Sequence, residues 1–319
     1  MRILFVTSTR IGDAVLSSGL LAHLIDAHPG AAVSIACGAP AAPLFEAVPG
    51  LERLVVMNKK PLAGHWLRLW GLSIGQYWDK IVDVRGSPLT FALAHGWRRA
   101  WRSVKSDEHR VVQLSRLIGA EAPIAPRLFI APRHQEEAMR LIPDGAPVLV
   151  LAPTANWPGK EWPIDRYIDL TRRLTASGAP LAGARIAVTG ALSERAQAQP
   201  LLDALAGPQL IDLFGRGELM TAFACFARAR LFIGNDSGLM HMAAASGVPT
   251  LGLFGPSAEI HYAPYGPDCA YVRTPESHAE LMPPGFDVNI SHTLMGGLGV
   301  DAVEEAARAL IARTEGRVS

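Results

Sequence analysis

The chain has 319 residues, long enough for two domains of ordinary size with a core each. Its 49% hydrophobic and 18% charged residues and formal net charge of +1 describe a soluble globular enzyme, and exclude a disordered chain and a general nucleic-acid binder. No uninterrupted apolar run of roughly 18 residues occurs, so no spanning helix is expected, and the three widely spaced cysteines, Cys37, Cys225 and Cys269, argue against a disulfide framework or structural zinc and for a cytoplasmic setting.

The first half alternates short apolar strands with helical patterns: a strand at Ile3–Val6, a helix at Ala14–Ala27, and strands at Ala32–Cys37 and Leu54–Met57. The start resembles a signal peptide only briefly, because Arg10 and Asp13 interrupt the apolar run. Lys80–Val84 reads as a further strand, followed by a turn at Arg85–Pro88 and a helix-like segment from Leu89. Gly96–Lys105 then holds four basic residues and two indoles with no acidic one, a composition suited to an anionic glycan or phospholipid headgroup and equally to an ordinary solvated loop. Helical patterning resumes at Glu108–Ile118 and Gln135–Ile142, and the turn-rich Pro143–Pro147 marks the domain boundary, giving domains 1–145 and 146–319. The second half opens with a strand at Val148–Leu151, then helix Tyr167–Thr175, strand Arg185–Thr189 and helix Glu194–Leu205. A strand–loop–helix–strand unit at 231–254 follows, then an irregular stretch at Pro275–His292. The last helix, Val300–Arg313, is free to pack back on the N-terminal domain. Two such α/β halves, each Rossmann-like, would face a central cleft at the carboxyl ends of their strands, where open parallel sheets bind ligands.

Four places carry chemistry. The first strand runs into Thr7–Asp13, which has a single glycine; no loop of the chain carries the G-x-G-x-x-G dinucleotide fingerprint, so no tightly bound nicotinamide or flavin is expected. Asp13 stands where a helix N-cap belongs, and is equally placed to take a proton from an acceptor hydroxyl. The loop Ala152–Pro163 offers Lys160, a compact cation able to reach a diphosphate, together with Thr154 and Asn156; its Trp157 and Trp162 read as apolar plugs. Glu194 can accept hydrogen bonds from ribose hydroxyls or complement a helix dipole. The densest motif is Gly234-Asn235-Asp236-Ser237-Gly238-Leu239-Met240-His241 at a strand-to-helix corner, where unpaired backbone N–H groups and the helix dipole suit a phosphate. Taken singly, Asp236 or Ser237 could cap the helix and His241 could be a core histidine; together with Gly238 they point to an anion and sugar site.

These stretches resemble glycosyltransferase family 9, the ADP-heptose:lipopolysaccharide heptosyltransferases. The resemblance is carried by Arg2–Leu16 with its Gly12-Asp13 pair, Asp79–Ser87, the Trp157–Pro163 loop, Gly190–Glu194, and Gly234–Gly238 with His241, continuing through Gly247-Val248-Pro249 to Phe254-Gly255-Pro256. It implies an α/β GT-B fold with the acceptor held mainly by the N-terminal domain and a nucleotide-sugar donor, ADP-heptose, by the C-terminal one. The implied reaction is an inverting, metal-independent transfer of heptose to a lipopolysaccharide inner-core or related glycan at the cytoplasmic face of the inner membrane. No cofactor and no metal are then expected. By position, Asp13 matches the general base, Lys160 the diphosphate lysine, Glu194 the ribose-binding acid, and Asp236, Ser237, Gly238 and His241 the donor corner. Arg10, Arg98, Arg99 and Arg102 are candidates for the anionic acceptor, with Lys59, Lys60 and Lys105 as further basic candidates. The chain departs from the family at Ser17-Ser18-Gly19, where a proline is common, at Ala155 and Asn156, where threonines are common, and at Leu281–Pro284, where the family has a cysteine-containing segment. A same-fold transferase using another nucleotide sugar, and a GT-B-fold sugar-nucleotide epimerase or hydrolase, are the competing expectations.

Overall fold

The computed structural model describes residues 1–58, 64–103 and 105–315. The chain divides into two units, Met1–Ala131 and Pro132–Ser319, each built on its own parallel sheet.

In the first unit, β1 (Arg2–Val6), β2 (Ala32–Cys37), β3 (Leu51–Val56), β4 (Trp78–Asp83) and β5 (His95–Ala100) are ordered β3-β2-β1-β4-β5, with every pairing parallel. The sheet is built outward from β1 to one side and then to the other, so the strand order reverses between β1 and β4. There Val6 lies in register with Asp83 and Val84 N donates to Val6 O (2.8 Å), so the loops after these two strands leave the sheet side by side. The helices are α1 (Ile11–Ala27), α2 (Gly64–Ser73) and α3 (Arg110–Leu117). Helix α1 is buried continuously from Ala14 to Ala22, and Ser17-Ser18-Gly19 has a packing reason. A Cβ on Gly19 would lie 2.3 Å from the Ala125 carbonyl oxygen; Ser18 Oγ accepts from Arg127 N (3.1 Å); Ser17 Oγ shares a hydrogen bond with Thr7 Oγ1 (2.6 Å). Small residues let segment 124–127 cross this helix at backbone contact.

The second unit begins with α4 (Pro132–Leu141), followed by β6 (Val148–Ala152), α5 (Ile164–Thr175), β7 (Arg185–Val188), α6 (Arg195–Ala204), β8 (Leu210–Asp212) and α7 (Leu219–Ala227). Then come β9 (Leu231–Asn235), α8 (Gly238–Ser246), β10 (Thr250–Phe254), α9 (Glu259–Tyr262), β11 (Cys269–Arg273), α10 (His278–Leu281) and α11 (Val300–Arg313). The sheet runs β11-β10-β9-β6-β7-β8, all parallel, and reverses between β6 and β9. Its central strands β6, β9 and β10 are buried at every position, as expected of parallel strands covered on both faces.

Three features differ from the sequence reading. The division falls before α4 instead of in the Pro143–Pro147 turn, because α4 packs on α7, with His134 buried and its Nδ1 sharing a hydrogen bond with Thr221 Oγ1 (3.2 Å). The terminal helix α11 lies within its own unit: Val303, Ala307, Leu310 and Ile311 enter the core formed with α5 and the sheet, and Arg173 of α5 pairs with Asp301 (2.6 Å) and Glu304 (3.2 Å). Three short strands, β5, β8 and β11, were not expected; all are edge strands with mostly half-buried residues.

Candidate active site

The switch point of the second sheet brings two predicted motifs together. Ala152, the last residue of β6, lies in register with Gly234 of β9, and a Cβ on Gly234 would lie 2.9 Å from the Ala152 Cβ and from the Phe232 ring, so this crossing needs glycine for closeness. Asn235 rivets the loops leaving the two strands. Its Oδ1 accepts from Trp162 N (3.1 Å) and from the Tyr167 hydroxyl (3.1 Å), and its Nδ2 donates to Pro153 O (2.7 Å). With the loop after β6 fixed, the turn Pro158–Lys160 delivers the ammonium of Lys160 to Asp236, 2.6 Å from Oδ2. Asp236 is nearly buried, its side chain 9% exposed against 27% for Lys160, and His241 Nε2 stands 3.9 Å from its Oδ1.

Ser237 is the N-cap residue of α8, yet its side chain makes no capping hydrogen bond, and its buried Oγ has no partner among the described residues. The cap explanation for Ser237 therefore fails, and Asp236 is occupied by a cation instead of by the helix. A second buried hydroxyl, Ser257 Oγ, is unpartnered in the loop after β10. Sequence gave Asn235 no role of its own within the motif that contains it, and Ser257 lies just past the recognised Phe254-Gly255-Pro256 stretch.

Glu194 ends a short turn before α6, where its Oε2 accepts from Thr154 Oγ1 (2.8 Å) and Ala191 N (3.1 Å). Thr154 and Glu194 thus form one group, while Asn156 is exposed. Glu161, beside Lys160, accepts from Ala155 N (3.0 Å); burial, and secondarily the nearby Glu194 charge, push its pKa up. Trp162 is a core plug as expected, its Nε1 donating to Leu298 O (2.8 Å), whereas Trp157 is half-buried over Gly159 and donates to Val288 O (2.8 Å). Among the described residues no group of three or more His, Cys, Asp or Glu side chains is placed to hold a metal ion.

In the first unit, Arg10 and not Asp13 occupies the N-cap position of α1. Asp13 falls in the first turn of the helix, half-buried, with Ser8 Oγ donating to its Oδ2 (3.4 Å), so the capping explanation gives way to a carboxylate at the carboxyl edge of β1. Arg10 is exposed. The basic segment is not a loop at its start: His95–Ala100 is edge strand β5, paired parallel to β4. Pairing sends its arginines to different tasks. Arg98 donates to Thr90 Oγ1 from Nε (3.0 Å) and Nη2 (2.7 Å) and to Ser87 O (3.3 Å), with its guanidinium 3.5 Å from the centroid of Phe91. Its Nε and Nη2 are thus held by protein. Beneath it, the buried Asp83 accepts from Ser87 N (2.8 Å), Thr90 Oγ1 (2.8 Å) and Arg85 N (3.0 Å); burial raises its pKa against these bonds and the Arg98 charge. Arg99 and Arg102 are exposed, Arg99 standing 4.6 Å from the Trp97 ring centroid. Lys59 and Lys60 lie outside the described residues.

Comparison with known proteins agrees with this geometry. The sequence profile of glycosyltransferase family 9 (heptosyltransferase) matches residues 98–282. Lipooligosaccharide heptosyltransferase 2 of Haemophilus influenzae is 24% identical over 319 residues, spanning 86% of this chain and 88% of that protein. Lipopolysaccharide heptosyltransferase 2 of Escherichia coli is 23% identical over 323 residues with the same coverage. Among solved structures, the family 9 glycosyl transferase from Veillonella parvula superposes with a TM-score of 0.77 at 19% identity, over 98% of this chain and 97% of that one. The E. coli ADP-heptose lps heptosyltransferase II does so with a TM-score of 0.74 at 20% identity, over 99% and 100%. The two Rossmann-like units are those of a GT-B fold. With the family profile matched over more than half its length, the chain is a glycosyltransferase and belongs to glycosyltransferase family 9, the heptosyltransferase family.

Proposed function

We propose that this enzyme moves a heptose from ADP-heptose to an inner-core sugar of lipopolysaccharide, or a related cell-surface glycan, with inversion and without a metal ion, at the cytoplasmic face of the inner membrane. The observation that carries the reading is the corner of Lys160, Asp236, Ser237 and His241 at the second unit's switch point. The names of the relatives support the heptose and the glycan, and one solved relative, E. coli heptosyltransferase WaaC, was determined with ADP. No helix among the described residues is long and apolar enough to cross a membrane, so contact with the membrane would be peripheral.

In the proposed reaction an acceptor hydroxyl oxygen attacks the anomeric carbon while Asp13 takes its proton. The bond from that carbon to the diphosphate breaks, and its electron pair leaves with ADP. Negative charge growing on the diphosphate is met by Lys160 and the N-terminus of α8, a preorganised pair of positive ends. Donor binding would draw Lys160 from Asp236 toward the phosphates and free the Asp236 carboxylate to accept hydrogen bonds from sugar hydroxyls. Displacement from the face opposite the leaving group gives inversion in one step.

The test is ADP release by the purified enzyme with ADP-heptose, with and without a heptose-deficient core glycan, in the presence and absence of a chelator. Release that depends on the acceptor and ignores the chelator is expected. Equal release without acceptor would identify a hydrolase or epimerase; acceptor-dependent turnover of a different nucleotide sugar would move the donor but keep the chemistry.

A further inference from the structure

Helix α2 packs on one face of the first unit's sheet, and the side it turns outward is apolar. Leu69 and Ser73 are buried, and Trp66 and Trp70 pack on the core that Leu4, Val6, Ala36, Val55 and Ile81 form beneath the helix. The helical repeat then places Leu67, Arg68, Gly71 and Leu72 on the opposite side, and all four are exposed. The outward face of a surface helix is ordinarily charged or polar; this one holds two leucines, a glycine and one arginine.

The apolar surface continues past the helix. The turn Pro88–Ala92 packs beside α2 and carries Phe91, 64% exposed, while Ile74 and Tyr77 stand exposed between α2 and β4. Of the eleven exposed large apolar side chains among the described residues, five lie between positions 67 and 91: Leu67, Leu72, Ile74, Tyr77 and Phe91. Single exposed apolar residues need no explanation, but a concentration of them marks an interaction surface.

The charge around this surface has one sign. From Gly64 to Ser106 the chain carries seven Lys and Arg and two acids. Of those acids, Asp83 is buried beneath Ser87 and Thr90, and Asp79 accepts from the backbone N of Arg2 (2.6 Å). Four arginines are tied to the apolar residues themselves. Arg68 lies on α2, Arg53 Nη1 donates to Leu72 O (2.6 Å), and the guanidinium groups of Arg85 and Arg98 stand 5.5 Å and 3.5 Å from the ring centroids of Trp66 and Phe91. Leucines and aromatic rings among arginines suit the boundary of a bilayer, where apolar groups enter the acyl edge and cations meet lipid phosphates. A second copy of the chain on this surface would set the same arginines against one another, which like-charge repulsion opposes.

We propose that this face of the first unit docks on an anionic phospholipid bilayer, with Leu67, Leu72 and Phe91 entering the headgroup boundary and the surrounding arginines meeting lipid phosphates. The inference rests on the reading that the enzyme works at a membrane face, and it names the unit and the side chains that touch lipid.

The experiment is flotation of the full chain with vesicles of phosphatidylglycerol and phosphatidylethanolamine, and with vesicles of phosphatidylcholine alone, at about 0.1 M salt and again at about 1 M, where screening shortens to about 3 Å. Expected is saturable binding to the anionic vesicles, at least about tenfold weaker to phosphatidylcholine and weaker at high salt. Leu67→Ser/Leu72→Ser should weaken binding to anionic vesicles at least about tenfold with the melting temperature unmoved, since both side chains are exposed. Arg53→Gln/Arg68→Gln should weaken it at low salt and narrow the difference between the two salts. No binding, equal binding to phosphatidylcholine, or undiminished binding by the leucine variant overturns the proposal. A dimer in light scattering without vesicles, dissolved by the leucine substitutions, would give the face to a second copy and overturn it too. Transfer to a lipid-free core glycan needs no bilayer and should be equal in wild type and the leucine variant; transfer lost in that variant alone would place the leucines at the acceptor instead. A wild type that floats with anionic vesicles but transfers no heptose would refute the heptose assignment and leave lipid docking standing.

Discussion

Lys160 and Asp236 were given separate roles by sequence, and the structure makes them one pair at 2.6 Å. That changes what a substitution does. Lys160→Ala removes a phosphate ligand and also strands a nearly buried carboxylate, so it should lower kcat/KM by about 10²–10³-fold, the range seen for loss of a transition-state donor, and weaken the fold as well. Steady-state kinetics and thermal denaturation on one preparation check both, and unchanged donor affinity would remove Lys160 from the phosphate site. Asp13→Asn has no such second effect, because Asp13 is half-buried and, among the described residues, its side chain holds only the long 3.4 Å bond from Ser8. It should cost about 10²–10⁴-fold in kcat, the usual worth of a general base, with melting temperature and donor KM unmoved. Asp83→Asn tests the unit's other acid. An amide keeps one oxygen where the carboxylate uses two against three donors, so at least one donor is orphaned, at about 1–3 kcal/mol. Burial raises the Asp83 pKa, so the native state binds more protons than the unfolded chain between the ordinary and raised values, and wild-type stability contributed by this group falls as pH rises through that window. The asparagine lacks that loss; the deficit of Asp83→Asn in urea denaturation should therefore narrow as pH rises.

At the scale of elements, what sequence could and could not show follows from burial. Strands β1, β2, β6, β9 and β10 are nearly wholly buried and announce themselves as apolar runs bounded by turns. Edge strand β5 carries His95, Trp97, Arg98 and Arg99, polar or amphipathic at most positions, and only its parallel register with β4 makes it a strand. The same blindness affected function. Composition marked Arg98 as a ligand for anions, but a count of charges cannot see that Thr90 and Ser87 already take its Nε and Nη2. The donor corner was legible because its residues are contiguous and the chemistry is local; the Lys160 contact spans 76 positions and needed the switch point. That crossing can be tested directly. Gly234→Ala should cost about 1–3 kcal/mol from overpacking and reduce activity by displacing Asp236. Since the Ala152 Cβ is one of the two nearest clashes, level with the Phe232 ring at 2.9 Å, adding Ala152→Gly should restore part of the stability in a double-mutant cycle. Strict additivity would mean that the two strands do not meet as described.

At the scale of the whole chain, two units with separate sheets and cores let unfolding report which of them a nucleotide stabilises. A ligand that binds only the folded state stabilises it by RT ln(1 + [L]/Kd), about 2.7 kcal/mol at a hundredfold excess over Kd. For a unit of roughly 150–250 residues each kcal/mol is worth about 2–4 °C, so saturating ADP should raise the melting of the second unit by about 5–10 °C. UDP, GDP and CDP should do far less if the donor is an adenine nucleotide. Lys160→Ala should shrink the ADP shift, while Asp13→Asn should leave it whole, since Asp13 belongs to the first unit. Scanning calorimetry of the three proteins with and without ADP checks each part. If the chain melts in two steps, ADP should move only one of them, and the size of that move should not depend on Asp13. An ADP shift left whole in Lys160→Ala would remove the lysine from the nucleotide site.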